Sequence, residues 1–162
     1  MALRKIATDE DPILRRKSRT VERFDDRLGQ LLDDMAQTMY EANGVGLAAP
    51  QVSMLRRAVV IDVTEDRSGL LELVNPQIIE EDGEQIGPEG CLSVPDVRGI
   101  VKRPMHVRVK AQDRFGNWFE TEGEGLLARA FCHELAHLDG QLFTDIMEYE
   151  LTDEEETEDS EA

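Results

Sequence analysis

The apolar positions change their period along the chain. Between Phe24 and Asn43, residues Leu28, Leu31, Leu32, Met35 and Met39 recur at helical spacing and form one stripe. Asp25 or Asp26 can cap the start of this helix, and Gly44 stands where a helix commonly stops. The stripe of Leu and Met reads as core packing. The next stretch, GVGLAAPQV (Gly44 to Val52), is too rich in small residues to be ordinary core. RRAVVIDV (Arg56 to Val63) then predicts a buried strand. LELVNPQIIE (Leu71 to Glu80) predicts another, in which Pro76 demands an edge, a bend or a break. EDGEQIGPEG reads as loop. MHVRVKAQD (Met105 to Asp113) alternates as a strand does, FGN supplies a turn, and NWFETEGEG reads as the hairpin partner. Helical spacing returns from Leu126 to Leu138, with Gly140 as the stop signal. Strands joined by turns fill the middle, so the fold class is α+β with mostly antiparallel sheets.

Composition narrows the function classes. The 162 residues fit one domain, and 40% hydrophobic content is enough to bury an interior. The net charge of −17 argues against a protein built to clamp nucleic acid, which needs a basic face. Nine of the acids fall in Glu148 to Ala162, which carries no base, leaving −8 on the other 147 residues. We therefore expect one domain over residues 1–147 and a disordered, solvated acidic tail over 148–162. The start, MALRKIATDEDP, has no apolar run, and no stretch is long enough to span a bilayer. The expectation is a cytoplasmic protein with no signal peptide. In that reducing setting Cys91 and Cys132 read as metal ligands or buried thiols rather than a disulfide.

The second helix carries FCHELAHLDG, with two of the chain's three histidines around a glutamate. At about 100° per residue, His133, Glu134 and His137 share one side of a helix, and the two imidazoles lie one turn apart. Both can reach a single ion, while Glu134 is placed to contact a water beside it. A catalytic centre of this type needs a third protein ligand and an open position. Asp139 points away from the shared face, and no histidine follows Gly140. Cys91, in PEGCLSVP, reads equally well as the third ligand of a zinc or ferrous site or as a small buried hydrophobe.

Three stretches, GVGLAAPQ (Gly44 to Gln51), EGCLS (Glu89 to Ser93) and HELAH (His133 to His137), together resemble bacterial-type peptide deformylases in order and separation. The resemblance runs from about Leu3 to Met147. It implies sheets packed around the helix that bears HELAH. It also implies a metal-dependent hydrolase that takes the N-formyl group from the formylmethionine of newly made proteins. By the same resemblance Cys91, His133 and His137 bind one divalent metal, usually Fe2+, with Zn2+, Ni2+ or Co2+ able to substitute. Glu134 would move protons for an attacking water, while the Gln51 amide and the Leu92 backbone N–H would receive the oxyanion. The backbone around Val45, Gly46 and Gly90 would pair with an extended peptide. Val45, Leu126 and Ala130 are candidates for the methionine pocket, Leu126 and Ala130 reading equally as core.

Departures from the family pattern matter as well. Ala136 stands where an acid is common, which puts in doubt a contact to an arginine such as Arg98 or Arg103. Cys132 replaces a frequent glutamine and reads as a buried thiol. The tail is acidic where some relatives carry a basic helix that docks on the ribosome. The expected partners are N-formylmethionyl nascent chains met by a monomer, near the ribosome at most transiently, with no membrane and no direct nucleic-acid contact. Two other readings share part of this pattern: a HExxH zinc endopeptidase, and a weakly active relative serving as a metal-binding module. Release of formate from formyl-Met-Ala, against internal cleavage of casein, separates the first two.

Overall fold

The computed structural model describes residues 2–152. The first helix, α1, spans Asp26–Glu41, and the second, α2, spans Leu126–His137. Eight strands accompany them among the described residues: β1 (Gly46–Ala48), β2 (Ala58–Ile61), β3 (Leu71–Asp82), β4 (Gln85–Cys91), β5 (Val94–Arg103), β6 (His106–Gln112), β7 (Trp118–Glu124) and β8 (Tyr149–Glu150). One sheet runs β1-β2-β3-β6-β7 and the other β4-β5-β8, and every named pairing is antiparallel. No helix among the described residues is long and apolar enough to cross a membrane.

The larger sheet is buried on both faces at its centre, which explains the unbroken apolar run in β2. Ala58 and Val60 pack with the α1 stripe, while Val59 and Ile61 pack with Phe131, Leu135 and Leu138 of α2. All five predicted α1 stripe residues are buried, each worth about 1.5–3 kcal/mol against exposure. Asp25 caps α1 by accepting from the Leu28 N–H at 3.1 Å. On its other side α2 meets the small sheet, so it lies between the two sheets, as expected. It ends as Gly140 takes a left-handed φ of 75°.

Pro76 produces a bulge, one of the outcomes its position required. The β3–β6 register shifts between Val74 and Gln77, and Asn75 takes φ 50°. The Asn75 side chain stabilises this bend by accepting from the Val21 N–H at 2.8 Å and donating to Val21 O at 2.9 Å and Gln112 Oε1 at 2.8 Å.

Two expectations need correction. EDGEQIGPEG is not a loop: Gln85–Cys91 is an edge strand whose partner, β5, the hydrophobic pattern had left unassigned. Pro88 is tolerated because β4 is an edge. The strand does alternate, but Gln85, Gly87, Glu89 and Cys91 face inward where apolar residues would normally stand. Nor does the folded chain end at 147. Tyr149 and Glu150 pair with Ile100 and Gly99, and Leu151 is buried. The rest of the expected tail, residues 153–162, lies outside the described residues.

Asn75→Ala removes three hydrogen bonds and leaves a non-glycine residue in a left-handed conformation. We expect a loss of about 2–4 kcal/mol in urea unfolding with unchanged kcat.

Candidate metal centre

Side chains of β4 and α2 meet, and each element presents groups that could hold a metal. Cys91 ends β4, while His133 and His137 stand one turn apart on α2. One ligand atom from each of the three lies within 4.8 Å of the others. Cys91 Sγ is 3.3 Å from His137 Nε2, and the two imidazole rings meet edge to face at 5.1 Å. Phe143 stacks on the other side of His133 at 5.9 Å.

Glu89, two residues before Cys91 on the same face of β4, accepts from His133 Nδ1 at 2.8 Å. That leaves His133 Nε2 as the ring's free ligand atom. Arg103 binds the same carboxylate with Nε at 2.8 Å and Nη2 at 2.9 Å, and Arg129 Nη1 adds a contact of 2.7 Å. Arg129 Nη1 also donates to Val101 O at 3.1 Å, joining α2 to β5. None of the four side chains in this network is more than 9% exposed.

The charges follow from these contacts. Burial disfavours the Glu89 carboxylate, but the hydrogen bonds from Arg103 and His133 outweigh it and bring its pKa down to about 2. Burial pushes Glu134 up to about 7. Burial, with the neighbouring His133 and Arg103, lowers His137 to about 3 and keeps it in the neutral form a metal requires. Burial also opposes charge on His133, yet Glu134, Cys91 and Glu89 overcome it and raise its pKa to about 10. Surroundings that hold a proton on His133 also favour a cation, and the two compete for that ring. Glu134 Oε1 and His137 Nδ1 are buried with no hydrogen-bond partner. A thiol, two imidazoles and an unpaired buried carboxylate oxygen fit one divalent ion and a water.

The remaining predicted residues gather at the same place. A cleft of about 450 Å³ is lined by Val45, Gly46, Gln51, Gly90, Cys91, Leu92, Leu126, Ala130, His133 and Glu134. Gln51 is 1% exposed, so it is no surface glutamine, and its Nε2 lies 3.6 Å from Cys91 Sγ. Leu126 is half exposed on the cleft and so is not core, whereas Ala130 both lines the cleft and belongs to the buried apolar core. Gly46 is required by close approach: a Cβ there would come 2.5 Å from Glu134 Oε2. His106, the third histidine, stands apart with Glu80 and Asp82 on the surface, bonded through Nε2 to Glu122 at 2.8 Å.

A sequence model of the polypeptide deformylase family matches residues 3–152. The chain belongs to that family. It is 67% identical over 145 residues to a peptide deformylase of Caldicellulosiruptor bescii, covering 90% of this chain and 86% of that one. The crystal structure of a peptide deformylase from Legionella pneumophila superposes with TM-score 0.87 at 44% identity, over 99% of this chain and 92% of the other. That from Thermotoga maritima gives 0.87 at 38%, over 92% and 100%. Like the rest of the family, this deformylase is a metal-dependent hydrolase that removes the N-formyl group from newly made proteins, and its α+β fold is the deformylase fold. The endopeptidase reading falls with that membership.

Two contributors were not singled out from the sequence. Glu89 falls within EGCLS, and on a strand it shares a face with Cys91. Arg129 precedes His133 by one helical turn and so shares its face. Of the two arginines considered beside Ala136, Arg103 borders the same cavity, with Arg57, Cys132, Asp139 and Gln141, whereas Arg98 lines the cleft. Cys132 is a buried thiol, raised by burial to about 11.

Glu89 titrates below the ordinary carboxylate value of 4.5, so its stabilisation is complete above that pH and is lost as pH falls through about 2. In metal-free protein, Glu89→Gln should cost about 3–5 kcal/mol at pH 7, since two buried arginines lose their counterion. The difference from the parent should shrink steadily towards pH 2 in acid-unfolding curves. Gly46→Ala should lower kcat at least ten-fold in a formate-release assay by displacing Glu134.

Proposed function

We propose that Cys91, His133 and His137 hold a single divalent metal, Fe2+ in the native protein, and that Glu134, Gln51 and Leu92 carry out deformylation around it. The observation that carries this reading is the convergence of a thiol and two imidazoles at a cleft lined by Cys91, His133 and the unpaired Glu134 carboxylate, with His137 buried behind them. When bound, such a metal supplies Lewis acidity that makes a water nucleophilic near neutral pH. Thiolate and imidazole ligands suit Fe2+ as well as Zn2+.

Glu134 takes the proton of the attacking water. Its raised pKa makes it a base strong enough to accept that proton and an acid strong enough to return it to the departing amine. Gln51 directs Nε2 at the formyl oxygen, and the Leu92 backbone N–H supplies a second donor. The peptide enters between two sheet edges. β1 is the edge of the larger sheet and β4 the edge of the smaller, and residues of both line the cleft. An extended chain laid between them can pair with the backbone of Val45, Gly46 and Gly90. Val45, Leu126 and Ala130 offer the apolar wall for a methionine side chain. The acidic net charge supports a monomer that meets nascent chains without gripping RNA.

Anaerobic purification followed by elemental analysis and a formate-release assay on formyl-Met-Ala tests the metal. One equivalent of iron tracking with activity is expected, and full activity in an iron-free zinc preparation overturns the choice of Fe2+. Glu134→Gln should keep its metal and lose at least a hundred-fold in kcat. Cys91→Ser should lose tight metal binding; retention of one tight equivalent removes Cys91 from the ligand set.

A further inference from the structure

We infer that Ser93 is a positioning residue for the reaction, acting by holding the Gln51 carboxamide in the one orientation that aims an N–H at the reacting oxygen. This rests on the reading of Gln51 given above. A carboxamide has one acceptor and two donor hydrogens, and its two ends differ little in shape. Something must therefore decide which end faces the metal ligands. In this chain Gln51 Oε1 accepts from the Ala48 N–H at 2.9 Å, a partner that can only donate. Nε2 donates to Ser93 Oγ at 3.1 Å and lies 3.6 Å from Cys91 Sγ.

The Ala48 contact fixes which end is oxygen, but a single contact leaves the amide plane free to swing about it. Ser93 Oγ is the second point. With one N–H held there, the other is left on the side of Cys91 Sγ, at the cleft that both residues line. The hydroxyl sits where water cannot replace it, since Ser93 is 0% exposed. The backbones of the two residues are tied to one segment as well: Ala7 N–H donates to Gln51 O at 2.7 Å and Asp9 N–H to Ser93 O at 2.6 Å. The N-terminal segment thus holds the Gln51 turn against the β4–β5 turn. Orientation set before the substrate arrives is what makes an oxyanion donor effective.

The experiment is a double-mutant cycle on the full-length, metal-loaded enzyme, with kcat and KM for formyl-Met-Ala, metal content and melting temperature measured for each form. Ser93→Ala should lower kcat about ten-fold, the worth of one well-placed hydrogen bond, with KM and metal content unchanged. Gln51→Ala should lower kcat a hundred-fold or more. In the Gln51→Ala background, Ser93→Ala should then cost nothing further, because the group it positions is gone. A purely structural role would make the two losses multiply, and that result, or an undiminished Ser93→Ala enzyme, overturns the inference while leaving Gln51 in place. An undiminished Gln51→Ala enzyme overturns the reading of Gln51 itself, and Ser93 falls with it.

Discussion

A single buried carboxylate ties the working parts of this enzyme together. Glu89 stands on β4, two residues from Cys91, and binds Arg103 of β5, Arg129 of α2 and the ring of His133. Leaving that carboxylate without its cations, or the cations without it, would be far costlier than any one surface contact. The arrangement therefore resists partial solutions: either β4, β5 and α2 meet in this register, or buried charges are left unpaired. The register that satisfies Glu89 also brings Cys91 to within 3.3 Å of His137. The register that packs the charged network thus also brings the three proposed ligands together.

The apolar core does a different job. It sets α2 against the larger sheet through Phe131, Leu135 and Leu138, and it buries α1 on the opposite face. That fixes the helix but not the strand beside it. β4 has almost no apolar side chain to bury, because its inward face carries Gln85, Gly87, Glu89 and Cys91. It is located instead by its ladder with β5 and by the arginines. An edge strand placed this way keeps one backbone side unpaired by other strands, which is what recognition of an extended peptide uses.

The same division explains what could be read from the sequence. Both helices, β2, β3 and the β6–β7 hairpin were legible because their patterns reflect burial in an apolar core. The bend at Pro76 was legible because proline cannot serve a continuous ladder. β4 is not legible as a strand because its glycines and proline outweigh an alternation whose inward positions are polar. The short β8 was hidden in an acidic run, where only Leu151 marks the packing. HELAH was visible at once, since helical geometry alone aligns its side chains. Cys91, the proposed third ligand, could be placed beside it only through the family resemblance or the fold. Glu89 went unread because a glutamate beside a glycine in a supposed loop carries no burial signal.

Ala136 gains a physical setting from this picture. It borders the cavity on which Arg103 also lies, and Arg103 is already satisfied by Glu89 rather than waiting for an acid at 136. Support for His133 thus survives the alanine, whereas His137 Nδ1 has no hydrogen-bond partner of its own. With the proposed ligands, Glu89 is the residue that holds the centre ready for a metal, through its bond to the His133 ring. The direct measurement is metal affinity of Glu89→Gln under anaerobic conditions, by competition with a chelator. Weakening by about 10–100-fold is predicted for loss of a carboxylate behind a ligand histidine; affinity equal to the parent enzyme would contradict it.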